Sequence, residues 1–163
     1  MARNRLIAEL ETLYRGRYRQ FLRVATAVVG SEAAAHDVVQ EAFARALRSA
    51  GSYRGEGTVE AWLWSVLLNA ARAARADERE QHEEYQAADL AATNGHVPTE
   101  EARVRAWVAA LPERQRFAVF LRYYADLDYR AIATVLGVEL GTVSATLSSA
   151  HTALRRSLKE VSR

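Results

Sequence analysis

The side chains that most often carry enzymatic chemistry are few and scattered in this sequence. Histidine stands at positions 36, 82, 96 and 151, and cysteine is absent. No group of histidine, aspartate and glutamate has metal-ligand spacing, and no glycine-rich loop has the pattern that cradles a phosphate. His36 directly precedes Asp37, which is typical of two surface neighbours rather than of a catalytic pair. The sequence therefore predicts a protein that is not an enzyme and that holds no metal and no cofactor.

Three polar side chains have the spacing of one helix face. Asp37, Gln40 and Glu41 stand at i, i+3 and i+4, so a helix places them side by side. The opposite side of this helix is predicted to be buried and consists of Val39, Ala42, Phe43, Ala46 and Leu47. Spacing alone favours a solvated surface for the polar side, and a contact surface for a partner is the alternative.

A glycine-rich stretch, SAGSYRGEG, follows this helix and carries Tyr53 and Arg54. Its three glycines permit a mobile or tightly turned loop. Thr58 is placed to cap the next helix. The more polar side of that helix holds Asn69, Arg72, Arg75 and Arg79 at helical spacing. The loop and this polar side form a second candidate surface.

A third candidate surface lies towards the carboxyl end. Asp128 can cap a short helix, and Gly137 permits a turn before a second amphipathic helix. Val143 and Leu147 of the second helix are expected to face inward. This order is that of a helix-turn-helix. The stretch GVELGTVSATLSSA, residues 137–150, contains no lysine or arginine, although phosphate contacts supply much of the affinity of a DNA-binding helix.

The elements that must position these residues are all predicted to be helices. Apolar residues recur at three and four positions, and no alternating strand pattern is convincing. Gly30 is expected to end the first helix and Ser31 to cap the second. The longest apolar runs are far shorter than the roughly 20 residues of a membrane span. We therefore expect no membrane insertion and a cytoplasmic location.

Charge divides the chain into two lobes. Residues 1–76 carry 11 basic and 7 acidic side chains, residues 77–101 carry 1 and 8, and residues 102–163 carry 10 and 5. The acidic stretch contains Thr-Asn-Gly and Val-Pro, which favour a linker, although its first half is also consistent with a solvated helix extension. The sequence thus predicts an all-α protein with small helical domains at 1–80 and 101–163, joined by a flexible acidic linker at 81–100.

Both lobes together resemble one known family. DVVQEAF at 37–43, YRGEGTVEAWLWSVLLN at 53–69 and LPERQRFAVFLRYYADLDYRAIATVLGVELGTVSATL at 111–147 resemble an extracytoplasmic-function (ECF) sigma factor of bacterial RNA polymerase. Residues 5–80 look like the second conserved sigma region and residues 100–160 like the fourth. Either half is found in other settings, but the ordered pair is specific to this family.

The resemblance implies partners for the first lobe and the linker. The helix that bears Asp37, Gln40 and Glu41 would dock on the clamp helices of the polymerase largest subunit. The glycine-rich loop and the helix after it would recognise and melt the minus-10 promoter element and capture an unstacked base. The residues that carry over to this role are Tyr53, Arg54, Asn69, Arg72 and Arg75. The linker would pass through the active-site cleft of the polymerase, and simple solubility is the alternative account of its charge.

The resemblance also implies that the second lobe reads DNA. Its last helix, matching 142–155, would lie in the major groove of the minus-35 element, while the lobe rests on the polymerase flap. Arg122, Arg130 and Arg155 lie before and after this helix, where backbone contacts are commonly made. The candidates for DNA contact on the helix itself are Thr142, Ser144, Ala145, Ser148 and Ser149. The family also implies an anti-sigma factor that clamps the protein in an inactive form.

The sequence departs from the family pattern in the recognition helix. Basic residues are usual at the positions of Ser144, Thr146 and Ser149, and the turn usually reads serine-glutamate where this chain has Glu139-Leu140. We therefore expect weaker or altered minus-35 recognition. Two other functions stay open: a sigma mimic or adaptor that binds anti-sigma factors through protein surfaces, and a free-standing helix-turn-helix regulator.

Overall fold

The computed structural model describes residues 2–83 and 99–161, and every regular element in these ranges is helical. The α-helices are α1 (Ala2–Val29), α2 (Glu32–Arg48), α3 (Val59–Glu83), α4 (Glu100–Ala110), α5 (Glu113–Tyr123), α6 (Tyr129–Leu136) and α7 (Leu140–Val161). A single 3₁₀ turn, Ala50–Ser52, follows α2. The predicted all-α fold is confirmed.

The first lobe is a bundle of α1, α2 and α3. Gly30 ends α1 with φ of 85°, a value that favours glycine. Ser31 Oγ accepts the Ala34 amide at 3.1 Å, as expected of a cap on α2. The Thr58 hydroxyl likewise accepts an amide at the start of α3. Local signals in the sequence therefore set where these helices begin and end.

Large aromatic side chains form the core of this bundle. Phe21 of α1 and Trp64 of α3 are fully buried, with ring centroids 4.4 Å apart. Phe43 of α2 meets Phe21 edge to face at 5.4 Å. The predicted burial of Leu47 is wrong, because its side chain is 42% exposed. Leu47 lies at the edge of the apolar side of α2, where a shift of one residue around the helix separates a buried position such as Ala46 from an exposed one.

The second lobe is built on α5, α6 and α7. The Asp128 carboxylate accepts the Ala131 amide at 2.8 Å and caps α6. Gly137, with φ of 64°, makes the left-handed turn between α6 and α7. Ile132 and Leu147 are buried where these two helices meet. The predicted helix-turn-helix is confirmed, and α4 precedes it as an additional helix.

The two lobes pack directly against each other, which the sequence did not predict. The Ser65 hydroxyl of α3 is shared between the Val135 carbonyl of α6 at 3.3 Å and the Ala61 carbonyl of its own helix at 3.2 Å. Gly57 approaches Thr134 so closely that a Cβ on the glycine would lie 3.2 Å from Thr134 Cγ2. The contact places the helix-turn-helix against α3 and the glycine-rich loop before it.

The predicted linker lies mostly outside the described residues. α3 continues to Glu83, and Thr99 caps α4 by accepting the Ala102 amide at 3.2 Å. Residues 84–98 are not described, so the flexibility of the linker and the domain limits at 80 and 101 stay predictions.

Candidate functional site

The polar face of α2 is accessible while the two lobes are packed together, an arrangement that we call closed. Asp37 and Gln40 are exposed. Glu41 is half exposed, and its Oε1 lies 2.6 Å from Arg45 Nε and 3.2 Å from Arg48 Nη2. The hydrogen bond from Arg45 lowers the pKa of Glu41 from its ordinary value. The three predicted side chains therefore share one surface, on which two arginines fix the carboxylate of Glu41.

His36 does not pair with Asp37. Its Nδ1 lies 2.6 Å from the Tyr18 hydroxyl of α1, and its Nε2 lies 3.8 Å from Glu32 Oε1. Burial raises the pKa of Tyr18, and Tyr14 acts in the same direction. His36 therefore ties α2 to α1, a role that no local sequence signal indicated.

The loop before α3 is ordered by its own tyrosine. The Tyr53 hydroxyl donates to the Gly57 carbonyl at 2.9 Å, and its ring lies 5.1 Å from that of Trp62. Gly55 and Gly57 both have φ of 75°. Arg54 is exposed at the tip of the loop. Tyr53 thus packs against Trp62 of α3, while Arg54 is exposed to solvent.

The polar side of α3 faces the second lobe. Arg72 Nε lies 2.5 Å from Glu113 Oε1 of α5, and its guanidinium carbon lies 5.2 Å from the ring centre of Phe117. Arg72 Nη1 is also 3.4 Å from Asn69 Oδ1. Arg75 follows one turn later and is half-buried. Of the five residues expected at the minus-10 element, Arg72 is the one that forms an ion pair with the other lobe.

The outer face of α7 is polar and uncharged over most of its length. The predicted contact residues Ser144, Ala145, Ser148 and Ser149 are exposed, and Thr142 is half-buried. Val143, Leu147 and Ala150 on the other side are buried. Arg155 is exposed and is the first basic residue of the helix.

Arg122 and Arg130 occupy different settings. Arg122 Nη1 donates to the Leu127 carbonyl at 3.2 Å and lies 4.0 Å from Asp126 Oδ1, so it braces the turn before α6. Arg130 is exposed on α6 and lines the same cavity as Thr142. Of these two arginines, Arg130 is the better placed to reach a nucleic-acid backbone beside α7.

Two sequence families match the two lobes. Residues 13–81 match Sigma-70 region 2, and residues 101–154 match Sigma-70 region 4. RNA polymerase sigma-H factor of Pseudomonas aeruginosa is 31% identical over 145 residues, covering 79% of this chain and 75% of that protein. ECF sigma factor SigM of Mycobacterium tuberculosis is 33% identical over 153 residues, covering 91% and 76%. This chain belongs to the ECF sigma factors.

This ECF sigma factor is therefore a transcription initiation factor of RNA polymerase. ECF sigma-E of Escherichia coli is a further relative, 31% identical over 134 residues that cover 72% of this chain and 70% of that protein. Two solved structures share the fold. CnrH, in complex with the cytosolic domain of CnrY, has a TM-score of 0.73 at 20% identity and coverage of 98% and 99%. RpoE of Bartonella quintana, in complex with the anti-sigma factor NepR, has a TM-score of 0.65 at 19% identity and coverage of 96% and 95%.

Within residues 2–83 and 99–161, no three histidine or acidic side chains come together as metal ligands. No single helix there has the length and apolar character of a membrane span. Only α6 and α7 taken together reach that length and character, and they are bent by 98° relative to each other.

Proposed function

We propose that this ECF sigma factor binds core RNA polymerase through α2, melts the minus-10 element with α3 and its preceding loop, and contacts the minus-35 element with α7. The observation that carries the proposal is that one chain presents both a helix-turn-helix and an arginine-bearing helix beside a glycine-rich loop. The sigma factor itself catalyses no reaction, and it works in the cytoplasm beside the polymerase.

Polymerase docking is assigned to the polar face of α2. Asp37 and Gln40 are exposed, and Arg45 and Arg48 hold the carboxylate of Glu41 in place. A preorganised carboxylate loses little conformational freedom when it meets a basic partner surface. This face suits the clamp helices of the polymerase largest subunit.

Promoter melting is assigned to strand capture. Removing a base from its stack costs a few kcal/mol, which a pocket and nearby cations can repay. Arg54 projects from the loop, and Asn69, Arg72 and Arg75 lie along α3. Because Arg72 is paired with Glu113, this ion pair has to open before the Arg72 guanidinium can bind a strand phosphate.

Minus-35 recognition is assigned to the serine-rich face of α7. Hydroxyl groups can bond to base edges, while Arg130 and Arg155 lie where backbone phosphates are commonly contacted. Few cations on the helix imply a weak contact. Attachment of both lobes to one polymerase raises the effective concentration of α7 at the promoter and compensates for this weakness.

An anti-sigma factor is a further proposed partner. RpoE of Bartonella quintana, which shares this fold, was solved with the anti-sigma factor NepR bound, and CnrH was solved with the cytosolic domain of CnrY bound. A groove between α1 and the α4–α5 region, lined by Leu22, Phe120 and Tyr124 with Arg19 and Arg23, is a surface that such a partner could contact.

Run-off transcription over a library of randomised promoters tests the function. Core polymerase is assayed alone, with this protein, and with an Asp37→Ala, Glu41→Ala variant. Initiation from a shared two-part sequence, lost in the variant, supports the proposal. Polymerase binding without initiation would contradict it and favour an adaptor that acts through protein surfaces. Tight duplex binding without polymerase would favour a free-standing regulator.

A further inference from the structure

A cleft of about 270 Å³ lies between α3 of the first lobe and α5 of the second, and arginine dominates its walls. α3 contributes Arg72, Arg75 and Arg79, which share one helix face, and α5 contributes Arg116. Among the described residues that line the cleft, Glu113 is the only carboxylate, and it is paired with Arg72. Positive charge in the cleft therefore exceeds negative charge by three.

Arg116 is affected first by burial and then by this excess of positive charge. Burial lowers the pKa of its guanidinium, the charge of Arg75 lowers it further, Glu113 opposes the change, and Arg79 adds a smaller lowering. Arg116 Nη1 donates to the Ala109 carbonyl at 2.9 Å, whereas its Nε is buried with no hydrogen-bond partner in the described part of the chain. A charge that is partly desolvated and faces like charges is stabilised by an anion placed beside it.

The counter-charge is not supplied by the described part of the protein. Across residues 2–83 and 99–161, Arg75, Arg79 and Arg116 form no ion pair with a carboxylate. Guanidinium groups are well suited to phosphate oxygens, to which they donate paired hydrogen bonds. The cleft is slightly smaller than the roughly 300–1,000 Å³ of pockets for drug-sized ligands, so it suits a compact anion.

We propose that this arginine cleft, formed by Arg72, Arg75, Arg79 and Arg116, binds a small multivalent phosphate anion of phosphate to diphosphate size. The site exists only while the lobes are packed together, because Arg116 comes from the second lobe and the other three arginines from the first. The bound anion stabilises the closed arrangement, since a ligand favours the state that it binds better. The inference concerns binding and does not rest on the promoter role proposed above.

Calorimetric titration of pyrophosphate into the full chain, at constant ionic strength adjusted with potassium chloride, tests the proposal. Wild-type protein is compared with Arg116→Gln and with Arg79→Gln. The control is Arg5→Gln, which removes an exposed arginine of α1 far from the cleft along the chain. Each cleft variant is expected to weaken binding by about tenfold or more, because charge-assisted hydrogen bonds are lost. The control is expected to bind as the wild type does.

Two results would overturn the proposal. One is the absence of pyrophosphate binding to the wild type, and the other is equal binding by the cleft variants and Arg5→Gln. Arg79 is exposed, so Arg79→Gln keeps the test valid even where Arg116→Gln impairs folding. Single-stranded oligothymidylate is titrated in parallel, because backbone phosphates offer the same chemistry. Binding of the oligonucleotide but not of pyrophosphate would assign these arginines to nucleic acid and reject the small-anion site.

Discussion

Arg72 and Glu113, 41 positions apart in the chain, form an ion pair that joins the two lobes, with Nε 2.5 Å from Oε1. Arg72 is also a residue that we assign to the minus-10 strand. If the proposed function holds, the same guanidinium has two competing partners, the Glu113 carboxylate and the phosphates of the promoter strand. Pairing with Glu113 and strand capture would then compete for this side chain.

Removing the carboxylate of Glu113 should favour separation of the two lobes. Glu113→Gln is expected to destabilise lobe packing by about 0.2–1 kcal/mol, because both side chains are about half exposed and water screens the pair. The measurement is energy transfer between dyes on Ala33→Cys in α2 and Glu160→Cys in α7, which the absence of native cysteine makes specific. Glu9→Gln, on the exposed side of α1, is the matched control. Equal transfer in the two variants would contradict the role of the pair.

Gly57 and Gly55 offer a matched comparison for lobe packing. Both have φ of 75°, so either alanine substitution should strain the loop by about 1–2 kcal/mol. A Cβ at Gly57 would in addition meet Thr134 at 3.2 Å, whereas a Cβ at Gly55 meets nothing within 4 Å. Gly57→Ala should therefore lower energy transfer between the labelled lobes, and Gly55→Ala should leave it near the wild-type value. Loss of transfer in both variants would show that loop strain, not the Thr134 contact, controls packing.

The polar face of α2 should matter for polymerase binding and little for folding. Asp37→Ala combined with Glu41→Ala is expected to weaken binding to core polymerase by about tenfold or more, through loss of charge-assisted hydrogen bonds. Circular dichroism should show the helical content retained. Glu9→Ala with Glu11→Ala is the matched control, because Glu11 pairs with Arg15 at 2.9 Å as Glu41 pairs with Arg45. Normal polymerase affinity in the α2 variant would remove the interface assignment.

The pair between Glu41 and Arg45 should give stability that depends on pH. Because the Arg45 hydrogen bond lowers the folded-state pKa of Glu41, ionised Glu41 favours the folded protein. The stability that wild type has over Glu41→Gln should be present above about pH 4.5, the ordinary value, and should disappear as pH falls through the lowered pKa. Urea unfolding of both proteins across this range measures it. A difference that is constant with pH would contradict the assignment.

Because α7 carries few basic residues, an added arginine on its exposed face should strengthen its binding to DNA. Ser148→Arg places a cation on the exposed face of the recognition helix, and each new phosphate contact should steepen the salt dependence of duplex binding by about 0.9 in log–log slope. Ala33→Arg on α2 adds the same charge away from the helix-turn-helix. Binding of duplex promoter DNA is measured against salt concentration for both. An equal change in slope would show that net charge alone is responsible.

Signals within a few residues determined what the sequence could predict. Ser31, Thr58 and Asp128 each accept the expected capping amide, and Gly137 takes the expected left-handed turn. Such features depend on neighbours three residues away, so a single sequence contains them. The candidate surfaces on α2 and α7 follow from the same helical periodicity.

Relationships between the lobes could not be predicted in this way. The contacts of Arg72 with Glu113, and of Ser65 with Val135, depend on how the two lobes meet. The burial of an apolar residue at the border of a helix's apolar side is also hard to predict. Leu47 is exposed. Of the two neighbouring tryptophans of α3, Trp64 is fully buried in the core and Trp62 is only partly buried. Periodicity identifies an apolar side but not which of its members the neighbouring helices cover.

The contact between Ser65 and the Val135 carbonyl helps to hold the lobes together, and under the proposed function this predicts a kinetic signature for promoter opening. Because the polar face of α2 is exposed while the lobes are packed together, the proposed function predicts that polymerase binds first. Capture of the promoter strand should then level off at the rate of lobe opening, whatever the polymerase concentration. The apparent dissociation constant for the promoter strand equals the intrinsic constant divided by the fraction of molecules whose lobes are separated. In the proposed function, a contact between residues 70 positions apart would thereby contribute to how quickly an open promoter forms.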